Sequence, residues 1–184
     1  MTDTLDTQPS APMSLPARMI GVLFSPAATF ANVAAFPKWF GVMAISLLVL
    51  AGANYVFLST PVGQQASLDQ QVAQIEGFGQ TVDDAMYEQL KGRAKFGAVI
   101  TAVAILVMSP VFTVIFAALL FGVFSGVLGG QATFKQVFAV VVHSSAVSVV
   151  QQLFVTPLNY VRESMSSATN LAVFLPMLDE SSFL

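Results

Sequence analysis

Long apolar runs alternate with short polar breaks along this chain. No Asp, Glu, Lys or Arg falls within 39–68, 96–134 or 136–161. A helix crossing the hydrocarbon core of a bilayer needs about 20 consecutive apolar residues. Each uncharged window therefore holds one span, and the pattern places them at about 39–58, 97–129 and 134–158. The predicted fold class is all-α: a polytopic helical membrane protein with three full transmembrane helices, preceded by an interfacial helix over 25–36.

The ends of these elements carry their own signals. Trp39 and Tyr55 bracket the first span, where amphipathic rings favour the membrane interface. Thr60-Pro61 closes it. The second span is too long to stand upright: as a helix it measures about 50 Å against a core of about 30 Å. Pro110 lies near its middle. The favoured reading is one long helix kinked at Pro110 that projects into water at one end. A hairpin turning at Ser109-Pro110 would leave backbone groups unpaired in lipid. Thr133-Phe134-Lys135-Gln136 has the Ser/Thr-x-x-Glu/Gln form of a capping box and starts the third span. Pro157 and Asn159 mark its expected end.

Residues 1–16, rich in Thr, Ser, Pro and Asp, read as a disordered tail. Their acidic start does not suit a signal peptide, although cleavage near Ala34-Ala35 is an alternative. Ser25-Pro26 suits a helix start, with Phe30, Val33 and Phe36 on one face. Two placements fit this helix. It lies on the membrane with Arg18 toward lipid phosphates, or it packs against the bundle. The stretch 61–95 reads as a polar loop with helical pieces, broken over Glu76 to Gln80. Its second piece starts near a capping-box-like Thr81-Val82-Asp83-Asp84 and can run straight into the second span. The segment 159–184 contains only a short apolar run, Leu171 to Leu178, too short to cross a bilayer as a helix.

Composition agrees with a lipid setting. Apolar residues make up 55% and charged residues 9%, against about 25% charged in a soluble domain. So little charge cannot hydrate the surface of a globule. The net charge of -3 includes no basic patch, so nucleic acid is not an expected partner. There is no cysteine and a single histidine, which argues against a metal site. No cofactor is expected. No carboxylate lies in any predicted span, which weighs against ion-coupled transport.

Glycines cluster at the end of the second span. A phosphate loop needs G-x-x-x-x-G-K-[ST], and the stretch Gly129-Gly130-Gln131 to Lys135 does not supply it. Gly122, Gly126 and Gly130 instead recur every four residues, the small-xxx-small spacing that lets a second backbone approach closely in lipid. Ser125 and Gly129 enlarge that small surface, and Gly129-Gly130 also permits a turn. A catalytic alternative pairs Ser125 with His143, in a segment faintly similar to the serine motif of rhomboid proteases. Helix geometry opposes it. Ser125 lies about 7 Å from its helix end and His143 about 14 Å into the next span, beyond hydrogen-bond reach.

The third span carries a polar stripe: His143, Ser144, Ser145, Ser148, Gln151 and Gln152. Ser144, Ser148 and Gln152 share one face. Such groups usually bond to neighbouring helices. The competing reading is a small polar cavity around His143, Ser144, Ser148, Gln151 and Gln152 that takes a small ligand or a proton.

Several stretches together resemble one family. They are Leu23-Phe24-Ser25-Pro26 with Thr29-Phe30, Pro37-Lys38-Trp39, Leu128-Gly129-Gly130-Gln131-Ala132-Thr133-Phe134-Lys135-Gln136, and the polar third span. Over about residues 18–158 the chain resembles a bacterial member of the Yip (Ypt-interacting protein) domain family. The resemblance implies a multi-span helical membrane domain, usually of five spans, with a cytoplasmic N-terminus. Eukaryotic relatives act in vesicle traffic and bind small GTPases, a role that does not transfer to bacteria. It implies no catalytic residues. Three spans are fewer than the family pattern, so 159–184 reads as the approach to further helices, in a fragment or a shortened member.

Charge does not orient the chain. With the N-terminus inside, Arg18, Lys38 and Lys135 face Lys91, Arg93, Lys95 and Arg162 across the membrane, which is almost no bias. The resemblance favours N-inside, with 61–95 in the periplasm. The expected role is non-enzymatic, in the bacterial inner membrane. The expected partners are the lipid bilayer and other membrane proteins or a second copy of the chain. The alternative is a channel or carrier subunit.

Overall fold

The computed structural model describes residues 11–165. Two short helices, α1 (Leu15–Phe24) and α2 (Pro26–Ala35), precede α3 (Phe40–Leu58) and α4 (Pro61–Gly77). Helix α5 (Asp84–Phe121) then continues as a π-helical segment, Gly122–Val127, before α6 (Phe134–Arg162). No strand occurs among the described residues. Three helices are long and apolar enough to cross a membrane: α3, α5 with its π-helical end, and α6.

The break between α1 and α2 follows from Ser25-Pro26. A proline disfavours the helical region for the residue before it, and Ser25 sits at φ -145°, ψ 58°. Its N–H still bonds Gly21 O at 2.8 Å, closing α1 while Pro26 opens α2. The pattern of residues 25–36 foretold α2. It did not foretell α1, for whose ten residues the pattern predicted no separate element.

Thr60 caps α4 by accepting a hydrogen bond from Gly63 N–H at 3.0 Å. Pro61 occupies the first turn, where its missing N–H costs nothing. A Cβ at Gly63 would run into the carbonyl of Phe57, so this corner between α3 and α4 requires glycine. Asp83, rather than Thr81, caps α5: its carboxylate accepts from Met86 N–H at 2.8 Å.

Helix α5 runs through Pro110 unbroken, which removes the hairpin alternative. Proline there deletes one backbone donor, and the remaining turns hold. Thr113 Oγ1 donates to Ser109 O at 2.7 Å beside it. Helix α6 also passes through a proline, Pro157, and extends to Arg162 instead of ending near Leu158. A single lost donor is tolerated where neighbouring turns stay paired. The helix closes when Ser164 N–H bonds Asn159 O at 3.2 Å and Glu163 turns to φ 53°.

Packing groups the described residues into two units, 11–50 with 104–150 and 51–103 with 151–165. In the first, Val42, Ala117, Phe138 and Val142 form a buried cluster, with Leu15, Met19 and Trp39 against it. Trp39 meets Phe138 edge-on at 5.1 Å. In the second, Phe57, Leu58, Ala66 and Ala98 are buried together, with Val62 and Met165 packed on them.

Candidate functional site

The glycine-rich end of α5 has two parts. At Gly122–Val127 the helix widens to π geometry, with Leu128 N–H bonding Val123 O five residues back at 3.0 Å. The chain then turns at Gly129, at φ 70°, and Gly130 N–H reaches Phe124 O at 2.8 Å. A Cβ at Gly130 would stand 2.7 Å from that carbonyl, so Gly129 and Gly130 build the turn. Gly122 and Gly126 differ. Both are exposed, and nothing lies within 4 Å of where a side chain would begin. Ser125 Oγ donates to Ala132 O at 3.2 Å across the turn.

The predicted capping box starts α6. Thr133 N–H donates to Gln136 Oε1 at 2.8 Å, and Gln136 N–H points back at Thr133 Oγ1 at 3.4 Å. The amide of Gln136 has a second use, donating to Ala34 O at the end of α2 at 2.9 Å. An apolar cleft of about 680 Å³ lies here, lined among others by Ala34, Leu120, Phe124, Gly130 and Val137.

The polar stripe of α6 divides. His143 is fully buried, with Nδ1 at 2.7 Å from Ala139 O and Nε2 without a hydrogen-bond partner among the described residues. Ser145 Oγ lies 3.1 Å from Ser46 Oγ of α3 and donates to Val142 O at 2.7 Å. Ser145 also lines, with Ser144 and Ser148, a cleft of about 450 Å³ walled by Phe112, Thr113 and Phe116. Successive helix positions are about 100° apart, so His143 and Ser144 point in different directions; His143 is not in that lining. Gln151 is exposed, and Gln152 donates to Thr156 Oγ1 at 2.8 Å. Ser125 and His143 each hold a backbone carbonyl and are not partners of one another.

The N-terminal helices hold polar groups whose burial the hydropathy pattern did not reveal. Arg18 is only 3% exposed. Its Nε donates to Met13 O and its Nη1 to Lys38 O, both at 3.0 Å. Burial pushes its pKa below the ordinary value, yet a guanidinium remains charged. Asn32 of α2 accepts from Met13 N–H at 3.0 Å and donates to Ala11 O at 2.8 Å. The available signal was one Arg and one Asn, each alone in an apolar helix.

Apolar helices of membrane-spanning length, with polar groups turned inward or into clefts, define a polytopic helical membrane protein. The chain belongs to the Yip1 domain family, whose profile matches residues 20–183. No curated protein and no solved structure matches it significantly.

Proposed function

We propose that this chain is a non-enzymatic organiser of the bacterial inner membrane, holding partner membrane proteins or a second copy of itself through helix packing. The observation that supports this reading is the bareness of α5. Its most apolar stretch is only 6% buried, and Val99, Val103, Leu106, Phe112, Ile115, Phe116 and Leu119 are all exposed. Lipid covers such a surface adequately, and so does another helix. The exposed Gly122 and Gly126 at its end offer a backbone to which a partner helix can come close.

A second reading rests on the cleft at Ser144 and Ser148, which Thr113 also lines. A cleft between spans that sets hydroxyl groups in a mostly apolar wall suits a channel or carrier subunit.

The deciding experiment is gentle affinity purification of the tagged chain from native membranes, with mass spectrometry and in-membrane crosslinking. A stoichiometric partner, or a defined homo-oligomer, is the expected result. A chain that emerges as a lone monomer under crosslinking would refute the organising role.

A further inference from the structure

The described residues of the first packing unit include positive charge and no acidic side chain. Among residues 11–50 and 104–150 there are Arg18, Lys38 and Lys135, and no Asp or Glu. Arg18 is the buried one. Bringing a guanidinium out of water without a counter-charge is costly, and such charges are ordinarily paired. Two backbone carbonyls hold Nε and Nη1. The third nitrogen, Nη2, is buried with no hydrogen-bond partner among the described residues.

Arg18 lines a cavity of about 440 Å³ together with Met13, Ser14, Leu15, Lys38 and Gly41. Its two carbonyl partners, Met13 and Lys38, stand in the same wall, so the planar fork is fixed there. Lys38 is exposed and brings a second cation. Ser14 makes no side-chain cap for α1, so the N–H groups of that first turn add a partial positive charge at the same wall. Two cations, a fixed fork and a helix start form a site for a tetrahedral oxyanion.

Position selects the source of that anion. Lys38 directly precedes Trp39, and α3 enters its apolar run at Phe40. The cavity therefore sits at the end of a membrane span, at the level of lipid headgroups. We propose that the Arg18–Lys38 cavity binds the phosphate of an anionic phospholipid headgroup. The lipid then acts as a bound counter-ion that completes the junction of α1 with α3.

The test uses the full chain purified in a neutral detergent. Short-chain phosphatidylglycerol is titrated in, with inorganic phosphate at matched concentration as a second arm, and binding is read from the rise in Tm. Phosphatidylglycerol should stabilise the wild type, and inorganic phosphate should not. Lys38→Gln leaves every bond of Arg18 in place, because Lys38 takes part only through its carbonyl. It should keep the lipid-free Tm and weaken lipid binding about fivefold. Arg18→Lys keeps the charge but loses the fork, and should weaken binding about tenfold. If Arg18→Lys does not fold, Lys38→Gln decides alone. Unchanged phosphatidylglycerol binding in Lys38→Gln overturns the site. Equal stabilisation by inorganic phosphate overturns the lipid as its source.

Discussion

The side-chain amide of Gln136 bonds the carbonyl of Ala34 at 2.9 Å, across 102 residues of sequence. One residue thus caps α6 through its oxygen and ties α6 to the end of α2 through its nitrogen. The two uses separate chemically. Gln136→Glu keeps an acceptor for Thr133 N–H, since Glu serves a capping box as well as Gln. It cannot donate to Ala34. The substitution should lower stability by about 1 kcal/mol, the net value of one hydrogen bond. Gln136→Ala loses both roles and should cost about 2 kcal/mol. Equilibrium unfolding in mixed micelles measures the difference; wild-type stability in Gln136→Glu would show that the tie to α2 contributes nothing, and equal losses in the two variants would show that the cap contributes nothing.

Two glycines on neighbouring helices should respond in opposite directions. At Gly63 an added Cβ meets the backbone of Phe57, which cannot swing aside. Gly63→Ala should therefore destabilise by about 1–3 kcal/mol, as overpacking does. Gly52 lies inside α3 with nothing within 4 Å. Gly52→Ala should be neutral or stabilise by up to about 1 kcal/mol through helix propensity. Unfolding titrations of the two variants against the wild type check this, and matching signs would contradict it.

Much of this architecture is legible from the chain. Charge-free windows located α3, α5 and α6 because a span in lipid tolerates few charges. Thr133 and Gln136 announced the start of α6 because a cap is a local motif. The failures have equally local causes. Pro157 was read as a terminator, yet α6 absorbs it. A proline removes one donor, and the chain alone does not say whether neighbouring turns compensate. The four-residue spacing of Gly122, Gly126 and Gly130 was read on a regular α-helix, whereas a π-helical segment and a turn divide the set. Neither of the two placements open to the N-terminal helix reveals the burial of Arg18, because burial of a charge depends on tertiary carbonyls, here those of Met13 and Lys38. Hydropathy does not encode that.

Gly126 separates assembly from folding. Because its Cβ would meet nothing within 4 Å in the single chain, a large residue there has room. Gly126→Leu should leave monomer stability within about 1 kcal/mol of wild type, or raise it slightly. A partner helix resting on the same face would be pushed away. The expected outcome is an unchanged unfolding curve with loss of the crosslinked partner or oligomer. Retention of that species at wild-type yield would remove Gly126 from the contact.

His143 distinguishes the two functional readings. Its ring is fully buried. Truncation by His143→Ala should cost about 3–5 kcal/mol, as for large aromatic side chains in cores. That loss alone would not separate packing from transport, because both fail when the helices part. His143→Phe does separate them. Phenylalanine keeps most of the volume and gives up the Nδ1 contact with Ala139 O. That carbonyl keeps its backbone partner within α6. The fold should therefore lose less than about 1.5 kcal/mol. Proteoliposomes with an internal pH dye then report proton flux for wild type and His143→Phe. Under the packing reading, neither conducts above protein-free vesicles. A wild-type flux abolished in folded His143→Phe would instead make the imidazole part of a proton path. Ser148→Ala, which alters the cleft without touching His143, would show whether that path includes the serine-lined cleft.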